Sequence, residues 1–99
     1  MKIYIRDRRS GKTTDLIKES NEKWLYIVCA NHLRAEYINR LAMKLDIDIP
    51  HPITVSELPI RSPFIDKVLI DDVEDVLECI IGKQVETCTT SCEVDMLLK

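Results

Sequence analysis

The chain has 99 residues, with 14 Lys+Arg and 17 Asp+Glu, a formal net charge of −3 and a pI of ≈ 5.3. Apolar residues make up 45%, which suits one small core, is too many for a disordered chain, and accompanies an acidic balance that excludes a highly basic nucleic-acid tail. The longest apolar run, Trp24 to Ala30, has seven residues and cannot span a bilayer, and Met1 to Asp7 has no signal-peptide apolar region, so the expectation is one cytoplasmic domain over residues 1–99, with its four cysteines as thiols.

Lys2 to Ile5 reads as a short, partly alternating strand. Arg6 to Thr14 reads as a loop entering a helix that runs to about Asn21. Trp24 to Ala30 is a continuous apolar run, the pattern of a strand covered on both faces. Asn31 suits the cap of the next helix, whose apolar positions Leu33, Tyr37, Ile38, Leu41, Ala42 and Leu45 form a stripe of period 3.6. All four prolines fall between Pro50 and Pro63, leaving room for one short strand at Ile53 to Val55, with Pro52 at its start or on a sheet edge. Val68 to Ile70 reads as a fully buried strand ended by Asp71-Asp72. Val73, Val76, Leu77, Ile80 and Ile81 then follow helical spacing, with Gly82 as the stop, and Val85 to Thr90 reads as a last strand. Alternating strands and helices predict an α/β domain with a mainly parallel sheet. Aromatics are 5% of the chain, so an aliphatic core is expected, with Trp24 and the tyrosines in the core or at its edge.

Ser10-Gly11-Lys12-Thr13-Thr14 lies between a strand and a helix, where unpaired amides and the positive end of the helix dipole favour an anion. Gly11 lets backbone approach a ligand, Lys12 reaches the β- and γ-phosphates as a compact charge, and Thr13 offers a hydroxyl to Mg²⁺. At these residues the chain resembles the P-loop NTPases, with the loop length of 6–13 kept and Arg6 in the position of the first glycine. Lys67-Val68-Leu69-Ile70-Asp71-Asp72 resembles the Walker B element of the same families. By that resemblance Asp71 holds Mg²⁺ with Thr13, and Asp72 stands where a catalytic glutamate activates water, one methylene shorter. The bland alternatives are a basic turn that binds nothing and an acid placed at a helix N-terminus by the dipole.

The resemblance implies a three-layer P-loop fold of the helicase or RecA-like kind, with strand order 3-2-4-5-1. It also implies ATP or a related NTP and Mg²⁺ as ligands, and Thr89, Thr90 or Ser91 as a γ-phosphate sensor. Without a second RecA-like domain the expected activity is at most weak NTPase, not autonomous helicase action. The chain looks like a minimal, truncated P-loop protein of the sort carried by phages and mobile elements. Its first strand would lie near an open sheet edge, which invites a protein partner or a second copy.

Charge is divided along the sequence: residues 1–45 carry net +5 and residues 46–99 net −8. Two functions therefore stand beside nucleotide binding. One is a degenerate P-loop-fold interaction module that uses its acidic half or open edge, for example on a host or defence protein. The other is a nucleic-acid-binding accessory protein that uses its basic half. Cys88 and Cys92 have a spacing open to zinc, with Cys29, Cys79, His32 and His51 as the remaining ligand candidates, but Cys29 and Cys88 read better as small apolar strand residues. His32 and His51 are expected to be exposed.

Overall fold

Strands and helices alternate along the chain, and the reason is visible at each helix end. The computed structural model describes residues 1–5 and 11–96. Its elements are β1 (Lys2–Ile5), α1 (Lys12–Lys23), β2 (Tyr26–Cys29), α2 (His32–Lys44), β3 (Ile53–Thr54), β4 (Val68–Ile70), α3 (Val73–Ile81) and β5 (Glu93–Met96), with a 3-10 turn at Val55–Glu57.

Helix α1 opens at Gly11, whose φ of 75° is the left-handed conformation that glycine adopts without Cβ strain. It closes at Trp24, also left-handed at φ 53°, with the Trp24 amide donating to the Ser20 carbonyl. The buried Ser20 hydroxyl donates to the Leu25 carbonyl at 2.6 Å, which fixes the turn into β2. Trp24 is thus the helix cap rather than the first strand residue, and it is 56% exposed rather than in the core. Helix α2 begins as predicted: the Asn31 side chain accepts the Arg34 amide at 2.9 Å. Helix α3 ends as predicted at Gly82, φ 79°.

Strand β2 is the centre of a three-stranded parallel sheet of order β3-β2-β4, and β1 pairs with β5 in a second, two-stranded parallel sheet. The structure thus holds two sheets among the described residues, not the single sheet of order 3-2-4-5-1. The last strand lies at Glu93–Met96 rather than Val85–Thr90, paired with β1 and not with β4, and its register sets Lys2 opposite Glu93, an opposite-charge pair.

Ile27 and Cys29 of β2 join Ile17 of α1 and Ala35, Ile38 and Ala42 of α2 in the main core, with Leu69 of β4 packed against it. Each fully buried isoleucine contributes on the order of 2–3 kcal/mol. Val28 falls on the opposite side of the pleat, and α3 also packs against β2. The expected helical stripes are only partly buried. In α2, Leu33 is 77% exposed and Tyr37 and Leu45 are also exposed. In α3 only Val76 is buried, while Val73, Leu77, Ile80 and Ile81 face solvent. Strand β4 is likewise not fully buried, and Ile70 is exposed. Periodicity identifies an apolar face, and here β5 lies beside β1 rather than covering β4. No helix among the described residues is long and apolar enough to cross a membrane.

Candidate functional site

The N-termini of all three helices meet beside the C-terminal end of β4. For α2 and α3 the parallel pairing of β2 and β4 brings this about, since each of these helices starts where its strand ends. The meeting point is a cleft of ≈ 540 Å³ whose lining includes Gly11, Lys12, Thr13, Thr14, Arg34 and Asp72.

Thr13, in the first turn of α1, is 7% exposed, and its hydroxyl donates to Oδ1 of Asp71 at 3.2 Å. Asp71 is held in place by its own amide, which donates to the Val28 carbonyl at 2.9 Å and extends the β2–β4 ladder by one residue. Its carboxylate is buried at the strand end. Lys12 Nζ lies 2.7 Å from Oδ1 of Asp72. The hydrogen bond to Asp72 raises the Lys12 pKa above its ordinary value, against the opposing effect of partial burial. Two segments that stand 58 residues apart in sequence thus share one site.

Asp72 is left-handed, at φ 55° and ψ 79°, a conformation uncommon for residues other than glycine although Asp tolerates it better than most. It makes no side-chain cap to α3; its carboxylate turns to Lys12 and lies 3.5 Å from a terminal nitrogen of Arg34. Glu74 and Asp75, in the first turn of α3, add negative charge to the same cleft.

Arg34 is the member that sequence reasoning missed. Its Nε donates to Oδ2 of Asp71 at 2.6 Å, and Nη2 donates to the Thr13 hydroxyl at 2.9 Å and to Oδ1 of Asp71 at 3.4 Å. Its guanidinium carbon sits 4.7 Å from the centre of the Tyr37 ring, one helical turn away. The hydrogen bond to Asp71 is the main cause that raises the Arg34 pKa, with burial opposing. Tyr37 therefore supports a cation rather than filling the core. The only local signal was the i, i+3 spacing of Arg34 and Tyr37 on α2.

This arrangement bears on the expected divalent ion. Thr13 and Asp71, the two side chains given to Mg²⁺ by the sequence reading, are both hydrogen-bonded to one guanidinium. Mg²⁺ demands oxygen ligands in a near-octahedral shell at ~2.1 Å, and a guanidinium bonded to three of those oxygens sets a fixed positive charge against the place the ion would take. The donor set as arranged fits Arg34 and not Mg²⁺.

Of the remaining candidates, Thr14 lines the cleft, while Ser10, Arg6 and Asp7 lie outside the described residues. Thr89, Thr90 and Ser91 are exposed and off the cleft lining, and the Thr90 hydroxyl engages Cys92 at 2.8 Å instead. They belong to the segment without regular structure that precedes β5. Cys29 is buried in β2, as its apolar reading required, and desolvation pushes its thiol pKa up. Cys88 is exposed and lies outside any strand. Among the described residues no three His, Cys, Asp or Glu side chains gather as a metal site. His32 and His51 are exposed as expected.

No protein-family model matches the chain, and neither the curated proteins nor the solved structures contain a match.

Proposed function

We propose that this domain binds the phosphate groups of a nucleotide, ATP or a related NTP, in the cleft at the start of α1, with weak or no hydrolysis. The single observation that carries the reading is the meeting of Lys12 and Thr13 with Asp72 and Asp71, at 2.7 Å and 3.2 Å. A helix that opens on Gly-Lys-Thr, next to a strand ending in paired aspartates, supports the kinship with P-loop NTPases. In this reading the amides at the start of α1 and the Lys12 ammonium donate to phosphate oxygens, and Thr14 flanks them. Asp72 is salt-bridged to Lys12, which makes it a poor water activator and favours binding over turnover. A cytoplasmic setting accords with four cysteines present as free thiols.

Titration calorimetry with ATP, on the wild-type chain and on Lys12→Ala, tests this. Saturable heat that Lys12→Ala abolishes supports the reading. No binding at millimolar ATP, or equal binding by the variant, overturns it.

A second reading rests on a separate observation. Val73, Leu77, Ile80 and Ile81 leave α3 with an exposed apolar face, and Ile70 of the edge strand β4 is exposed as well. A two-fold axis would set this apolar face against the same face of another copy, so the occupant proposed is a second copy of the chain. Sedimentation across a range of concentrations tests it. Self-association that Leu77→Glu removes supports it, and a monomer at all concentrations rejects it.

A further inference from the structure

We infer that Arg34 takes the place of the divalent cation, so that the cleft receives a polyphosphate with Lys12 and Arg34 as its two cations and without Mg²⁺. The inference rests on the phosphate-binding reading and specifies its chemistry. Three observations lead to it.

The first is position. Arg34 reaches Thr13 and both oxygens of Asp71, the oxygens at which a metal would have to sit. The second is anchorage. Nε–Asp71 at 2.6 Å, Nη2–Thr13 at 2.9 Å and the Tyr37 ring beside the guanidinium hold the side chain, while the Asn31 cap on the Arg34 amide fixes its backbone. A planar guanidinium so fixed is pre-organised to present its donors, and phosphate oxygens are among its best-matched acceptors. The third is the division of labour between the two aspartates. Asp71 holds Arg34 through short contacts, whereas Asp72 touches Arg34 only at 3.5 Å and bonds chiefly to Lys12. An incoming phosphate competes with Asp72 for Lys12 and for the outer side of Arg34, and leaves the Arg34–Asp71 bond intact. A Mg²⁺ arriving with the nucleotide would instead have to displace Arg34 from Asp71 or lie against its positive charge, a repulsive arrangement inside a partly buried site.

The experiment is calorimetry with ATP in excess EDTA and with ATP in excess Mg²⁺, on wild type, Arg34→Ala and Arg34→Lys. Wild type is expected to bind at least as tightly in EDTA as in Mg²⁺. Arg34→Ala is expected to lose about tenfold or more of its EDTA affinity, the loss of one charge-assisted phosphate contact, and to bind better once Mg²⁺ is added, because Thr13 and Asp71 are released. Arg34→Lys, which keeps the charge, should fall between the two in EDTA. Wild-type binding more than about threefold tighter in Mg²⁺ than in EDTA overturns the inference alone and leaves the nucleotide reading standing. So does an Arg34→Ala variant that binds in EDTA as wild type does. No binding by wild type in either buffer overturns both. The two wild-type arms decide the question even where Arg34→Ala does not fold.

Discussion

Nε of Arg34 donates to Oδ2 of Asp71 across 2.6 Å, although 37 residues separate them in sequence. Asp71 is 3% exposed, so this partner and Thr13 take the place of water around its carboxylate. Asp71→Ala leaves the guanidinium with no strong acceptor there. The Arg34 side chain keeps 30% exposure, and water offsets part of the loss. The expected cost is therefore about 2 kcal/mol, below that of breaking a fully buried pair. Asp71→Asn keeps acceptor and volume and should cost roughly half as much. Urea denaturation of the three proteins checks the order, and equal midpoints would contradict the pairing.

Asp72 competes with any bound anion for Lys12. Asp72→Asn should raise ATP affinity several-fold, because the ammonium is released while the side chain still tolerates the left-handed backbone. Stability should change by less than about 1 kcal/mol, as expected for a partly exposed bridge. Calorimetry beside a denaturation curve measures both, and weaker ATP binding by this variant would argue against Lys12 as the phosphate ligand.

Glu57 gives a dependence on acid. Its carboxylate accepts the Thr54 amide at 2.8 Å and the Thr54 hydroxyl at 3.1 Å, and these bonds hold its pKa below the ordinary 4.5. A depressed folded-state pKa contributes stability that is fully present above 4.5 and is lost as pH falls through the lower folded value. Glu57→Gln removes the titration and should flatten the acid limb of the stability–pH profile. Thermal melts from pH 7 to pH 3 follow it; parallel profiles would show that the capping bonds do not hold the ionised form.

Ile38 and Leu33 sit on the same expected stripe of α2 but differ in surroundings. Ile38 is 0% exposed and Leu33 77%. Ile38→Ala should cost about 3 kcal/mol, a large share of a small domain's stability, whereas Leu33→Ala should stay within about 0.5 kcal/mol. Chemical denaturation separates them, and similar losses would mean that Leu33 is covered in solution.

What the sequence made legible was local. Gly11-Lys12-Thr13 had to start a helix, Asn31 had to cap one, Gly82 had to stop one, and an apolar strand ending at Asp71-Asp72 had to aim carboxylates past the sheet. Each is decided by backbone conformation or by residues three or four apart. Arg34 was not legible, because an arginine in the first turn of an amphipathic helix has the pattern of a solvated face. Only the parallel pairing of β2 with β4 brings it to Asp71. The last strand was misplaced for a similar reason: Val85 to Thr90 has the β-branched composition, but pairing with β1 selects the charged segment Glu93–Met96. The stripe of α3 was read correctly as a pattern, yet a pattern does not say whether a neighbour arrives to cover it.

Strands β1 and β5 join the two ends of the described chain, Lys2 through Ile5 alongside Glu93 through Met96, in a ribbon where Lys2, Tyr4, Ile5, Glu93 and Val94 are exposed. Such a ribbon closes a loop of almost the entire polypeptide while burying little apolar surface, so it is a late and easily opened clasp. Amide deuteration should reach Ile3 and Val94 together and well before Ile27, as one unzipping unit.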